Sequence, residues 1–337
     1  MNARLIALSF SVMLLSACGG RFGPPASTAV PPASEAKAAA PQKVYWTLFA
    51  GPAYPQVQIA NVPLKVKSKA NSIDSSSQND LLYSSGMAID SAGRLWILSF
   101  GQSNGAPTSA LVFKLPLDAN SVPLYTFVLT GTSGADALAF DPSGDVWVTS
   151  PGTHEVFEYK GPFTKSKTLN PAVTLNGGSD NPFGIAVDKS AKVYISINNS
   201  TGTDSIAVAT PPYKHEPYFL NGLTAPGGLM FDKSGNLYAS SNGSAPALVR
   251  YNSNNLKNGA TPNIVDPTGL PASSYEAAFA FTAKGDLYAA NCGNSGTAGL
   301  DVWPLSAKKF TSKLPPSVQY TNADLQSVGC AWGIAIK

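Results

Sequence analysis

GMAIDSAGRLWILS, spanning Gly86 to Ser99, recurs four times along the chain. The copies are ALAFDPSGDVWVTS from Ala137, GIAVDKSAKVYISI from Gly184, GLMFDKSGNLYASS from Gly228 and AFAFTAKGDLYAAN from Ala278. Each opens on small and apolar residues in alternation, passes a four-residue turn, and continues as an alternation of apolar and aromatic residues. A period of two on both sides of a tight turn is the signature of paired antiparallel strands. Marked by Asp90, Asp141, Asp188, Asp232 and Thr282, the copies are spaced by 51, 47, 44 and 50 residues, and Lys337 falls at the matching place in the terminal GIAIK after 55 more. Self-similarity at such a period identifies a repeat architecture.

Two more β-like stretches follow each copy: ALVFKLPL and PLYTFVL after the first, EVFEYKG and AVTLNG after the second, SIAVATPP and PYFLNG after the third. Each unit is therefore four strands, and radial repetition of four-stranded sheets is how a β-propeller limits its exposed edges. Residues 44–337 accommodate six units of about 49 residues. Five are complete, and the sixth has only its innermost strand, GIAIK, at the C-terminus. Its missing strands are expected at the other end, as VYWTLF from Val44, VQIANVP from Val57 and a last strand near DLLYSS. The predicted fold class is all-β: a six-bladed β-propeller closed by pairing of the C-terminal inner strand with N-terminal outer strands, which leaves the ring no open edge.

Laid out in this way, residues 44–337 resemble the six-bladed propellers of the NHL-repeat and SMP-30/gluconolactonase-like group, above all bacterial lipoproteins built from GIAVD…G…LYVAN-type units. The group carries hydrolases, lyases and binding proteins on one scaffold, so the resemblance implies the fold and not the activity.

The N-terminus supplies a location. MNARLIALSFSVMLLSACGG places Arg4 ahead of an apolar run, Leu5 to Leu15, too short to span a bilayer. Leu15-Ser16-Ala17-Cys18 resembles the bacterial lipoprotein box, which implies a signal peptide over 1–17, a palmitate-type lipid anchor on Cys18 and, with Gly19 and Gly20 following, outer-membrane sorting in a Gram-negative host. The alternative is an ordinary export signal with a chance cysteine. Residues 18–43 then form the lipidated Cys and a Pro/Ala/Ser tether with almost nothing to bury. As a flexible coil its last 24 residues span roughly 25–30 Å. Charged residues are 13% of the chain, and the net charge is +3. No strong field exists to draw in nucleic acid, so partners must be recognised by shape and local polarity.

Candidate chemistry lies at two kinds of position. The repeated Asp residues open turns in which a carboxylate bonds backbone N–H groups two residues on and a Gly supplies positive φ, which is a structural role. Trp96, Trp147, Tyr194, Tyr238 and Tyr288 hold one equivalent strand position and are expected to pack between blades. Function in the resembled group lies where the loops before inner strands meet those after second strands, around the channel. Those positions hold Asp136, Asn181, Asn198, Asn242, Glu276 and Asn291, with His154 and Glu155 in the second such loop. Carboxylates and amide oxygens on one axis suit Ca²⁺ or another divalent metal, and the resembled hydrolases hold their metal with a similar set. The sequence departs from that pattern because no Glu begins the first inner strand, and Asn also ends strands as a turn former. A lyase of the streptogramin type implies a His-rich set, whereas only His154 and His215 are present. No G-x-S-x-G serine-hydrolase motif occurs.

Two readings of function follow: a lipid-anchored binding or scaffold module for a protein or glycan, or a metal-dependent lactonase, esterase or lyase working in the channel. With Cys18 consumed by lipid, Cys292 and Cys330 remain, and an even pair in an exported domain is expected to be oxidised. Cys292 ends the second strand of the fifth blade and Cys330 precedes the inner strand of the sixth, so both reach one face on neighbouring blades; the alternative is two unpaired thiols.

Overall fold

The computed structural model describes residues 41–337 apart from 50–54, 65–69, 75–80, 82, 101–107, 177–179, 200–203, 268–273, 294–297, 315, 317 and 322–329. The signal segment 1–17, Cys18 and the tether to residue 40 lie outside the described residues. Six sheets follow one another along the chain. The closing blade begins with β1 (Lys43–Phe49), β2 (Pro55–Asn61) and β3 (Asn71–Asp74). The first complete blade is β4 (Tyr83–Ile89), β5 (Leu95–Phe100), β6 (Thr108–Phe113) and β7 (Tyr125–Leu129). The second has β8 (Leu138–Phe140), β9 (Val146–Ser150) and β10 (Glu155–Tyr159), then β11 (Lys167–Leu169) and β12 (Val173–Asn176). The third is β13 (Asn181–Val187), β14 (Val193–Asn198), β15 (Ser205–Ala209) and β16 (Tyr218–Leu220). The fourth is β17 (Pro226–Phe231), β18 (Leu237–Ser241), β19 (Ala247–Tyr251) and β20 (Ile264–Pro267). The fifth is β21 (Glu276–Phe281), β22 (Leu287–Asn291), β23 (Gly299–Trp303) and β24 (Val318–Thr321), and β25 (Cys330–Ile336) returns to the closing blade. That sheet runs β25-β1-β2-β3, with Tyr45 opposite Ala335, so the ring closes between the first and last strands of the propeller.

Three details depart from the sequence reading. The closing blade's outermost strand is Asn71–Asp74, while Tyr83–Ser85 of DLLYSS run on into GMAI as the start of β4. No turn separates Ser85 from the repeat, and both Ser84 and Ser85 are fully buried, as suits an inner strand. Secondly, the sheet starts at Lys43, which exchanges backbone bonds with Lys337 (2.7 and 2.9 Å), while the Gln42 carbonyl accepts from Val62; these two residues belong to the blade rather than the tether. Thirdly, the excursion between β10 and β12 contributes β11, which pairs in parallel with β7 of the preceding blade and covers its outer edge.

The turns form as their residues dictate. Oδ1 of Asp141, Asp188 and Asp232 accepts the N–H two residues on at 2.7–2.8 Å. The left-handed position is glycine in four copies and Ala191, with φ 60°, in the third. Downstream of each turn the recurring aromatic is buried against the next blade: Trp96 on Phe140, Trp147 on Tyr213, Tyr194 on Phe231 and Tyr238 on Phe281, with ring centroids 4.8–5.5 Å apart. The six hydrophobic clusters each combine two adjacent blades, so the core is a set of interfaces rather than one centre.

Near the axis the interfaces are polar. Two residues after the aromatic position, Thr149, Ser196 and Ser240 each accept an inner-strand N–H or pack beside it and donate to a carbonyl of the next blade, those of Phe183, Gly227 and Glu276, at 2.6–2.8 Å. Thr47 does the same to Ser85, and Ser85 to Ala135. Five of the six junctions thus carry a hydroxyl-to-carbonyl bond. At the junction of the fifth and closing blades the matching residue is Ala290, and there a disulfide joins Cys292 to Cys330. These bonds require close approach: a Cβ on Gly184 would overlap the carbonyl oxygen of Gly227. Gly184→Ala is therefore expected to lower stability by about 1–3 kcal/mol, measured by urea unfolding; an unchanged midpoint would place the blades further apart than described.

Candidate functional site at the mouth of the channel

The first strands of the blades surround a central cavity of about 400 Å³. Its wall is built from the small and apolar residues that open each repeat, such as Met87, Ala186, Leu229 and Ile334. At the end where those strands begin, two polar features interrupt it: the carboxyl of Asp136 and the indole of Trp332. The Trp332 ring N–H donates to Asp136, but burial outweighs that bond and pushes the carboxyl up to about 7. The Trp332 ring stacks on Tyr275 at 5.9 Å with 18° between planes, and both aromatics remain partly exposed. Burial, then the Asp136 and Glu276 charges, raise the Tyr275 hydroxyl.

The strand that follows Tyr275 explains its placement. Glu276 is 1% exposed and neither of its carboxylate oxygens has a hydrogen-bond partner. Its backbone N–H donates to Asn242 Oδ1 (3.1 Å), and its carbonyl accepts from Ser240. The N–H of Tyr275 donates to Asn291 Oδ1 (3.3 Å), and Asn291 Nδ2 donates to Asp301 (2.7 Å). The amides of Asn242 and Asn291 are thus engaged in holding the start of β21, and Glu276 sits behind the wall. The disulfide continues this support: Cys292 N–H donates to the Tyr275 carbonyl (2.8 Å), and Cys330 is two residues from Trp332. The joint of the ring therefore fixes both halves of the aromatic pair.

The other sequence-derived candidates stand elsewhere. Asn181 and Asn198 face each other across β13 and β14, half-buried. His154 caps the short 3-10 turn Pro151–Thr153 in a left-handed conformation, with Nδ1 3.2 Å from the Asp180 carbonyl, and Glu155 opens β10 opposite Ser150. Of the set, the structure gathers Asn242, Glu276 and Asn291 around one strand start and links Asp136 to them through Tyr275 and Trp332. Sequence reasoning missed Tyr275, Trp332 and Asp301. The first two carry a legible signal, since Tyr275 directly precedes β21 and Trp332 directly precedes the terminal GIAIK copy, positions that point to the mouth.

Burial also sets a pH dependence. Glu276 is pushed up to about 8 from an ordinary 4.5 by burial first and the Asp301 charge second. Between those values the folded chain holds a proton that the unfolded chain has released. The Glu276 contribution to stability is then greatest below about pH 4.5, falls as pH rises towards about 8, and is flat above that. The loss is on the order of a few kcal/mol. Glu276→Gln should flatten it when urea midpoints are compared at pH 5, 7 and 9; equal slopes in the two proteins would remove Glu276 as the cause.

No family model and no curated protein matches the sequence. The fold does have solved counterparts. A candidate 6-phosphogluconolactonase from Bacteroides uniformis aligns over 88% of this chain and 99% of its own at 11% identity, TM-score 0.58. An aldose sugar dehydrogenase from Streptomyces coelicolor, bound to PQQ, aligns over 80% and 88% at 16% identity, TM-score 0.55. A virginiamycin B lyase from Staphylococcus aureus, solved with quinupristin, aligns over 82% and 81% at 12% identity, TM-score 0.53. Likeness at these identities shows the β-propeller fold, and the fold alone.

Proposed function

We propose that the chain is a lipid-anchored envelope protein whose propeller binds a glycan at the channel mouth. The observation that carries this reading is the stacked, partly exposed Tyr275–Trp332 pair beside the Asp136 carboxyl. An aromatic face takes up the apolar face of a sugar ring, and a carboxyl offers hydrogen bonds to its hydroxyl or amide groups. The anchor rests on Leu15–Cys18, and the low net charge suits recognition by shape. Among the described residues lining the cavity, Asp136 is the one ionisable group, so no general acid and base stand together there.

The test is binding of soluble peptidoglycan fragments and of cello- and chito-oligosaccharides, followed calorimetrically, with a lactone and ester panel run alongside. Saturable binding that weakens at least tenfold in Trp332→Ala, with no turnover, is the expected result. Metal-dependent turnover of a lactone or ester, lost in Asp136→Asn, would replace this reading by the hydrolase one.

A further inference from the structure

The turn between β8 and β9 differs from its counterparts in what surrounds its first carboxylate. In three other copies both oxygens of the leading Asp are engaged within the blade. Oδ2 of Asp90 accepts from Arg94 Nε (2.7 Å) and Trp96 Nε1 (3.0 Å), Oδ2 of Asp188 from the Tyr194 hydroxyl (3.3 Å), and Oδ2 of Asp232 from Asn236 Nδ2 (2.8 Å). In the second blade Oδ1 of Asp141 accepts the N–H groups of Ser143 and Asp145, but no described group donates to Oδ2, and Trp147 Nε1 is itself without a partner. The residue that matches Arg94 and Asn236 is here another acid, Asp145, whose Oδ1 accepts the Gly161 N–H at 2.9 Å.

A third carboxylate comes from β10. Glu158 lies opposite Trp147 in the ladder and is 4% exposed, and its Oε2 has no hydrogen-bond partner. The nearest cation, Lys160 Nζ, is 3.8 Å away on a side chain that is 60% exposed. One oxygen from each of Asp141, Asp145 and Glu158 lies within 4.8 Å of the other two, the only such acidic group among the described residues. Three carboxylates this close repel one another, and the exposed Lys160 beside Glu158 offsets that only in part, so a cation among them is favourable.

We infer that Asp141, Asp145 and Glu158 form a divalent-cation site, Ca²⁺ by preference, at the end of the second blade away from the channel mouth. All the ligands are hard oxygens, and oxygens bound at about 2.3–2.6 Å from one Ca²⁺ lie up to about 5 Å apart, which is the spread seen here. Waters complete a shell of six to eight ligands. The ion ties the β8–β9 turn to β10 and, through Asp145, to the Gly161 backbone.

The test uses the mature chain stripped with EDTA. Ca²⁺ alone is titrated calorimetrically, and Tb³⁺ luminescence is excited through Trp147, which lies against the site. One saturable site per chain is expected, with a rise in melting temperature of several degrees in millimolar Ca²⁺. Asp145→Asn and Glu158→Gln should each weaken binding at least tenfold. In EDTA, Glu158→Gln should melt at or above the native protein, since a buried charge flanked by two other carboxylates and offset only by the exposed Lys160 is gone, which separates loss of the site from loss of the fold. Absence of saturable Ca²⁺ and Tb³⁺ binding, or binding unaltered in both variants, overturns the inference.

Discussion

Deleting Gly333–Lys337 is expected to cost on the order of 5 kcal/mol and to lower the melting midpoint by about 10 °C or more. The five residues are most of an inner strand. Ile334 and Ala335 are buried, and full burial contributes roughly 1.5–3 kcal/mol for an isoleucine side chain and about 0.8 kcal/mol for a single methyl. The Lys43–Lys337 bonds, the Gly333 N–H to Thr47 hydroxyl bond at 2.7 Å and the remaining ladder bonds each add about 1 kcal/mol net. Their loss also strips β1 of its partner and leaves an open edge prone to pairing with other chains. Truncation before Gln42 should leave the midpoint unchanged, since Gln42 is the first described residue bonded into the blades, through Val62 and Ala283. Calorimetry of both truncations decides: a C-terminal deletion that melts like the full chain means the ring does not close through β25.

Replacing Cys292 and Cys330 together by Ser should cost about 3–4 kcal/mol, the loop-closure value for the 38-residue separation. The effect is placed where the ring is otherwise weakest. Every other junction has a hydroxyl donating to the neighbouring carbonyl, and this one has Ala290 instead. The sulfur bridge is thus the axial tie between the fifth blade and the closing strand β25. Reductant should lower the native midpoint to that of the double variant and leave the variant unmoved. Equal stability of native and variant proteins under non-reducing conditions would show that the bridge contributes nothing to closure.

The sequence carries the ring because its information is periodic. A Gly or Ala, a turn acid, a glycine and an aromatic repeat at fixed offsets, and each offset has a local cause: close approach of blades, an Asx turn, positive φ, and packing on the next blade. Where periodicity fails, legibility fails with it. The outer strand Asn71–Asp74 is four residues long and carries one buried apolar side chain, Ile73, so nothing distinguished it from DLLYSS. β11 pairs in parallel with another blade, a relation that no local pattern encodes. The site was half legible. Position along each repeat located Asp136, Glu276, Asn242 and Asn291, yet whether an amide faces the channel or braces a neighbouring backbone depends on the contact between blades. Asn242 and Asn291 brace, and Glu276 is sealed behind them. Trp332 stood in plain view beside Cys330, but its role emerges only once β25 is set against β21 across the joint.

In the glycan-binding reading proposed above, stability and recognition meet in one place, the junction that carries both the disulfide and the Tyr275–Trp332 pair. The most direct measurement is calorimetric titration, at a temperature where both proteins are folded, of the tightest-binding oligosaccharide into the native protein and the Cys292→Ser/Cys330→Ser variant. The expected result is saturable binding by the native protein and at least tenfold weaker binding by the folded variant, because Tyr275 and Trp332 are no longer held in register. Equal affinities, or no saturable binding of any glycan by the native protein, would contradict it.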